Sequence, residues 1–385
     1  MRSQRFGIEI EMTGITRAAA AQVIAGYFHT QATHVGGGYD AYTVRDGQNR
    51  QWKIVYDSSI HAETRRGSTS NHDYKTEFVS PICQYEDIKT IQEIVRKLRS
   101  AGAKVNDSCG IHVHVDASAH DEKTLRNIVN IMAAKEDLLY KTLQVEVERE
   151  CYCQKADTRF LEEMNRRQPK TMDQFERIWY GGESGRHYHY DDTRYHGLNL
   201  HSVFSKGTIE FRLFNSTLHA GEVKSYIQLC LAISHQALIQ KGASHTKTKS
   251  SNEKYTFRTW LLRLGMIGDE FKTARLHLLK NLEGNIAWRD PAQAEAQKKR
   301  LAAKKLIEQH TQSMEEIPSA SYQEQADELE QEDVPAFIMS LERDVFTERT
   351  EINEQKTLCC LRKQLEFAAD EIPLPYGAAV WNRSH

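Results

Sequence analysis

Near the N-terminus the chain carries the stretch FGIEIE, in which apolar and acidic side chains alternate. Side chains of a β-strand point alternately to its two faces, so this spacing predicts a strand at residues 6–11 with Ile8 and Ile10 on one face. Glu9 and Glu11 then share the opposite face. Because two carboxylates so close together repel each other, that face either lies in open solvent or needs positive charge beside it.

Three further stretches alternate in a similar way, YKTEFVS, GIHVHVD and TIEFRLFN, although in YKTEFVS the two faces separate less cleanly. The polar faces of these predicted strands carry Glu77, His112, His114, Glu210 and Arg212. A sheet face in contact with solvent usually carries Thr, Ser, Lys and Gln, which are compatible with one another in strands. Acids, imidazoles and a guanidinium on several strands instead favour a functional face.

The chemistry of these residues indicates a site for cations. If the polar faces line one cleft, four carboxylates crowd together there, which raises their pKa values or requires positive ions. Oxygen-rich sites with an imidazole fit Mg²⁺ or Mn²⁺ better than zinc. Such ions typically hold nucleotide phosphates, with an arginine neutralising the remaining charge. The alternative is an ordinary solvent-facing sheet surface.

Stretches with helical periodicity separate the predicted strands. Helices are predicted at 16–28, 88–98 and 121–149, and over about twenty residues from Gly221. HGLNLHSVF, a Ser-Lys-Gly turn and TIEFRLFN predict a hairpin over 197–215. Together these elements predict an α+β fold with helices on the apolar face of a sheet.

The remaining sequence bears on domain organisation. Residues 150–195 are rich in Gly, Arg, His and Tyr, a composition typical of a mobile loop. At 385 residues the chain exceeds one ordinary domain, and the polar stretch at 244–254 predicts a linker. We therefore predict a main domain at 1–245 and a helical accessory region at 246–385. That region would form a lid, recognise substrate or mediate homo-oligomerisation.

Charge and cysteine content predict the environment of the protein. The formal net charge of −2 argues against a nucleic-acid binder. No stretch approaches the roughly 18 consecutive apolar residues that a membrane span needs. The N-terminus leads straight into the first strand, and seven cysteines without a secretory signal indicate reduced thiols. The sequence thus predicts a cytoplasmic protein without nucleic-acid or membrane partners.

Six motifs occur in the order FGIEIE, YDSSI, TEFVSPI, CGIHVHVD, RYHGLNLHS and TIEFRLFNST. In order and spacing they resemble the amidoligase family, a branch of the carboxylate–amine ligase superfamily that includes glutamine synthetase and γ-glutamylcysteine ligase. The resemblance covers about residues 4–240. It implies a glutamine synthetase-like antiparallel sheet forming a partial barrel, ATP with Mg²⁺ or Mn²⁺ as cofactors, and amide synthesis through an acyl phosphate.

The resemblance also implies roles for single residues, matched motif by motif. The metal ligands would be Glu9, His112 and Glu210 around one ion, and Glu11 and Glu77 around a second. Arg212 would contact the transferring phosphate, and Arg194 would be a second phosphate contact. Asp57 would lie on the amine side as a catalytic base. His114 and Asn199 would contact nucleotide or substrate.

The implied activity is that of an ATP-dependent carboxylate–amine ligase acting on small-molecule or peptide carboxylates and amines. A phosphotransferase of the same superfamily would instead stop at the phosphorylated product. A metal-dependent hydrolase would need ions and carboxylates but no ATP, and a nuclease would also need a basic groove that the net charge of −2 does not predict. A binding module without activity is a further alternative.

Overall fold

The computed structural model describes residues 1–315, apart from His189. The strands of this part are β1 (Phe6–Met12), β2 (Ala32–Gly36), β3 (Ala41–Arg45), β4 (Gln51–Val55), β5 (Glu63–Thr64), β6 (Gly67–Ser68), β7 (Thr76–Val79), β8 (Gly110–Asp116), β9 (Leu198–Asn199) and β10 (Thr208–Asn215). Its α-helices are α1 (Arg17–Phe28), α2 (Ile88–Ser100), α3 (Glu122–Leu143), α4 (Thr158–Arg167), α5 (Met172–Trp179), α6 (His201–Lys206), α7 (Ala220–Ile239), α8 (Glu253–Arg263), α9 (Lys272–Leu279) and α10 (Pro291–Glu315).

Eight strands form one sheet in the order β2-β3-β4-β7-β1-β8-β10-β9. Every neighbouring pair in it is antiparallel, and β5 and β6 pair separately. In this order β2 and β9 are the two edges, so within residues 1–315 the sheet is open and does not close into a barrel. The predicted antiparallel sheet is confirmed.

The apolar face of the sheet packs against helices. Alternation in β1 and β8 buries Ile8, Ile10 and Ile111 in the same core as Ile24 of α1 and Ile91 of α2. Helices α3 and α7 pack against each other, α7 also contacts β8, and α3 contacts β10. The predicted helices on the apolar face are therefore confirmed, which leaves the other face of the central strands for polar side chains.

Of two predictions for the stretch between α3 and β10, the loop is wrong and the hairpin is confirmed only in its strand pairing. The predicted loop at 150–195 contains α4 and α5, whose N-termini are capped by the side chains of Asp157 and Thr171. In the predicted hairpin at 197–215, β9 and β10 do pair antiparallel, but β9 has only two residues and α6 replaces the predicted turn. Helix α6 ends at Gly207, whose φ of 74° is the left-handed conformation that terminates helices.

Two smaller differences have local causes. The helix predicted at 121–149 ends at Leu143, because Gln144 has a φ of 48° and the helix does not continue through it. Strand β2 is absent from the sequence prediction. Its residues are all half-buried or exposed, so they lack the alternation of apolar and polar side chains that marks a strand.

Beyond residue 245 the chain continues with α8 and α9, which contact each other, and α9 also packs on α7. Residues Met1–Leu301 form one compact unit. The predicted division into domains at 1–245 and 246–385 stays a prediction. The last seventy residues of the predicted accessory region, from 316 on, lie outside the described residues. None of the helices at 1–315 is both long and apolar enough to cross a membrane.

The helix layer generates a stability prediction. Ile24→Ala in α1 removes a fully buried side chain, so it should lower the free energy of unfolding by about 2–5 kcal/mol in urea titrations. Ile239→Ala in α7 is the matched control, because Ile239 is 63% exposed and its loss should change stability by less than about 0.5 kcal/mol. Equal effects of the two substitutions would contradict the assigned core.

Candidate functional site

Strand register brings the predicted acids and imidazoles together. In the pairing of β1 with β8, Glu9 lies opposite His112, and in the pairing of β1 with β7, Glu11 lies opposite Glu77. Directly opposed residues on neighbouring strands have side chains in contact distance. Four of the five predicted metal ligands are therefore neighbours because of backbone hydrogen bonding alone.

Strand β10 supplies the fifth predicted ligand. Glu210 lies opposite His114 on β8 and opposite Asn199 on β9. Both oxygens of its carboxylate accept hydrogen bonds: Asn199 Nδ2 and Ser202 Oγ donate to Oε2 at 2.8 and 2.6 Å, and Arg212 Nη1 donates to Oε1 at 2.5 Å. Buried Glu210 is thus held in one orientation by three donors.

His112 lies among three carboxylates. Its Nδ1 is 3.1 Å from Glu9 Oε2 and 3.9 Å from Glu210 Oε1, and its Nε2 is 3.7 Å from Glu11 Oε1. Glu11 Oε2 in turn accepts a hydrogen bond of 2.6 Å from the backbone N–H of Gly110. One buried imidazole therefore connects three strands of the sheet.

Three sets of possible metal-ligand atoms occur on this face, each with its atoms within 4.8 Å of one another. The sets are Glu9, Glu77 and His112; Glu9, His114 and Glu210; and Glu11, Asp57 and Glu77. The first two share Glu9 and the first and third share Glu77, so the sets adjoin along the sheet. Each could hold a divalent cation.

The sets differ in part from the grouping expected from the sequence. The resemblance places His112 with Glu9 and Glu210, whereas the set with those two acids contains His114. Asp57, expected on the amine side, lies with Glu11 and Glu77. The roles of all these residues stay predictions. Both histidines face the same side of β8, and only the register of β10 decides which of them lies opposite Glu210.

Burial and mutual repulsion raise the pKa of two of the acids. Burial first, and then the charge of Asp57, raise the pKa of Glu11 to about 7. Burial, followed by the charges of Glu9 and Glu11, raises the pKa of Glu77 well above its ordinary value. Added positive charge would relieve both effects.

The pKa values of the neighbouring acids, Glu9 and Glu210, are lowered instead. Burial works against ionisation of Glu9, yet the charge of His114 and a hydrogen bond from His112 hold the pKa of that carboxyl well below its ordinary value. Burial also opposes ionisation of Glu210, and Arg212 outweighs it, so the pKa of Glu210 is strongly lowered. This face therefore combines acids that stay ionised with acids that hold protons near neutral pH.

His114 carries an unsatisfied buried nitrogen. Its Nδ1 lies 3.1 Å from Thr208 Oγ1, but its Nε2 is buried without a hydrogen-bond partner and lies 3.4 Å from Glu9 Oε1. Buried polar atoms normally have partners, so such an atom next to carboxylates points to a missing ligand.

A cleft of about 840 Å³ lies over this face. Eight of the ten predicted site residues line it: Glu9, Glu11, Asp57, Glu77, His112, Arg194, Glu210 and Arg212. His114 lines a neighbouring cavity of about 380 Å³ that shares Glu9 and Lys206 with the cleft. Asn199 lines neither of them and contacts Glu210 instead.

Local contacts hold the side chains of Asp57 and Arg194 in the cleft wall. Asp57 Oδ1 accepts hydrogen bonds from the backbone N–H and the hydroxyl of Ser59, at 2.7 and 2.5 Å. The guanidinium of Arg194 lies over the rings of Tyr190 and Tyr195, at 5.5 and 5.6 Å. Both residues therefore have defined positions in the cleft wall.

Sequence reasoning missed Ser202 as a part of the site. Its hydroxyl donates to Glu210, and it lies in α6, which the sequence pattern assigned to a hairpin. The helix end signal at Lys206-Gly207 would have indicated α6. No signal in the sequence places Ser202 against Glu210.

The raised pKa of Glu11 generates a pH prediction for metal-free protein. The folded state holds this proton more strongly than the unfolded state, so stability should fall as pH rises from about 4.5 to about 7. The contribution of Glu11 to the free energy of unfolding should fall by about 3 kcal/mol in total, which corresponds to the shift of the Glu11 pKa from 4.5 to about 7. Urea unfolding in EDTA at pH 5 and pH 8 measures it.

Glu11→Gln should remove the part of that pH dependence that Glu11 contributes, because glutamine carries no ionisable proton, and Glu77, whose pKa is also raised, should keep the rest. Glu86→Gln is the control, since Glu86 is exposed and outside the cleft. If Glu11→Gln retained the full loss of stability between pH 5 and pH 8, Glu11 would not be the buried acid responsible.

The sequence of the chain matches a known protein family. A family model described as putative amidoligase enzyme matches residues 2–234, which is more than half of the chain. The match includes every residue of the three ligand sets. A search of curated proteins found no match. The chain therefore belongs to the family of putative amidoligase enzymes.

Proposed function

We propose that the protein is an ATP-dependent carboxylate–amine ligase with a glutamine synthetase-like fold, which forms an amide through an acyl phosphate. Membership of the amidoligase family already indicates an enzyme of the ligase type. The observation that carries the proposal is the series of three adjoining ligand sets beside Arg212. Transfer of a phosphoryl group requires positioning and charge neutralisation of this kind.

The ligand sets fit Mg²⁺ or Mn²⁺. Carboxylate oxygens are donors in all three sets, and each of two sets adds one imidazole nitrogen. The Nε2 of His114, which makes no hydrogen bond, lies among them. The raised pKa values of Glu11 and Glu77 are the effect expected of acids that lack their counter-ions. When bound, such ions coordinate phosphate oxygens and neutralise their charge.

The smaller cavity supports one orientation of the nucleotide. It lies at the start of β1 and the end of β8, adjoins the cleft at Glu9 and is lined by His114. Lys206 lines both cavities, and its ammonium makes no hydrogen bond or ion pair with any described residue. We place the nucleoside of ATP in the smaller cavity and the phosphates beside Glu9 and Lys206.

The reaction proposed has two steps. A carboxylate oxygen of the first substrate attacks the γ-phosphorus, and the bond from that phosphorus to ADP breaks. The amine nitrogen then attacks the carbonyl carbon, phosphate leaves, and the nitrogen loses a proton, for which Asp57 is the proposed acceptor. Arg212 and Arg194 would offset the negative charge that develops on the phosphoryl oxygens.

A thermal-shift experiment tests nucleotide binding. ATP with Mg²⁺ should raise the melting temperature by a few degrees, and ATP with EDTA should not, because ligands that bind only the folded state stabilise it. Glu210→Gln should abolish the shift, whereas Glu86→Gln should keep it. An equal shift in EDTA, or a normal shift with Glu210→Gln, would contradict the metal-assisted site.

Trapping with hydroxylamine tests the acyl phosphate. Protein incubated with ATP, Mg²⁺ and a pool of amino acids and peptides as carboxylates should form hydroxamates, because hydroxylamine captures acyl phosphates. Arg212→Gln should lower the rate by roughly 100-fold or more, as expected for the loss of one charge-stabilising group. A stable phosphorylated product without hydroxamate would indicate a phosphotransferase, and turnover without ATP would indicate a hydrolase.

A further inference from the structure

A third cavity, of about 440 Å³, lies between α3, α4, α5 and the segment that precedes β9. Its size is in the range of small-molecule sites. Tyr140, Phe160, Trp179 and Tyr195 line it, with Phe160 and Trp179 packed edge to face at 5.0 Å. We call it the aromatic cavity. None of the three ligand sets contributes a residue to its lining.

The charged residues in the lining of the aromatic cavity are all acidic. Glu136, Asp157 and Asp192 line it, and no lysine or arginine does. Glu136 is already neutralised, because it accepts hydrogen bonds from the backbone N–H of Ala156 and from Lys247 Nζ. The uncompensated negative charge therefore comes from the other two acids.

Asp157 and Asp192 are both exposed at this cavity. Asp157 Oδ1 accepts a hydrogen bond of 2.6 Å from the backbone N–H of Phe160 as the N-cap of α4, and the residue has no ion pair in the described part of the chain. The carboxylate of Asp192 has neither a hydrogen bond nor an ion pair with the residues that the structure describes. Two carboxylates thus lack a cationic partner.

The aromatic walls themselves attract cations. The ammonium of Lys155 lies 5.3 Å from the ring centroid of Tyr140, and the guanidinium of Arg194 lies 5.6 Å from that of Tyr195. Neither cation lines the aromatic cavity. No lysine or arginine of the described part of the chain lies over the rings of Phe160 and Trp179, although the ring of His196 lies edge to face with Trp179 at 6.0 Å. Cations bind most strongly to tryptophan.

We propose that the aromatic cavity binds an organic cation, namely an ammonium or guanidinium group on an alkyl chain. The alkyl chain would pack on Phe160 and Trp179, and the cationic groups would pair with Asp157 and Asp192. The site is independent of the ligase reaction proposed above. Tyr195 lines both the aromatic cavity and the cleft, so the bound cation would lie next to the wall of the cleft.

Calorimetric titration of the full chain tests the proposal with 1,5-diaminopentane and agmatine as probes. Each should bind saturably at one site per chain, with a dissociation constant below about 1 mM. Pentane-1,5-diol, which has the same alkyl chain without charge, should bind at least tenfold more weakly. Absence of saturable binding of both cations, or equal binding of the diol, would overturn the proposal.

Substitutions locate the site. The double variant Asp157→Asn/Asp192→Asn should weaken binding of both probes at least tenfold, and asparagine keeps the helix cap of α4. Asp173→Asn is the matched control, because Asp173 is an exposed acid of α5 outside the cavity lining. Equal affinities of the double variant and the control would overturn the assignment.

Glu11→Gln separates this site from the proposed ligase site. Glu11 does not line the aromatic cavity, so this variant should bind the two cations with unchanged affinity. A parallel loss of cation binding in Glu11→Gln would contradict the independence of the two sites, whatever the outcome of the nucleotide experiments.

Discussion

The arrangement of the site depends on the antiparallel register of β7, β1, β8 and β10. This register sets Glu9 opposite His112 and Glu11 opposite Glu77. A slip of one residue would turn every one of these side chains toward the helices and bring buried isoleucines such as Ile10 to the cleft. The helices that cover the apolar face therefore keep the acids on the other face, because a slip of one residue would expose the core.

The electrostatic character of the cleft follows from this constraint. Strand pairing brings several buried carboxylates close together. Positively charged side chains offset the charge of some of these carboxylates more than that of the others. Arg212 and the imidazoles keep Glu9 and Glu210 ionised, whereas Glu11 and Glu77 have raised pKa values. Buried carboxylates without positive charge beside them lower the free energy of unfolding, and burial of the apolar core has to offset this loss. Such a face is poised to bind cations, which is the physical basis of the proposed metal-assisted reaction.

The sequence predicted the central strands because their alternation is strict, and with them the face that carries Glu9, Glu11, His112 and Glu210. It could not predict that His114 lies opposite Glu210, because that depends on the long-range pairing of β8 with β10. The contact from α6 to Glu210 also depends on tertiary packing. Helices α4 and α5 had local N-cap signals, but the polar composition around them favoured a loop.

We propose that side chains from four strands hold divalent cations side by side on one face of the sheet. Anomalous diffraction from crystals grown with MnCl₂ and a non-hydrolysable ATP analogue tests it most directly. We expect manganese peaks coordinated by Glu9 and by members of the ligand sets that include Glu77 and Glu210. Ordered nucleotide with no manganese at any of these carboxylates, or manganese bound only elsewhere on the protein, would contradict the account.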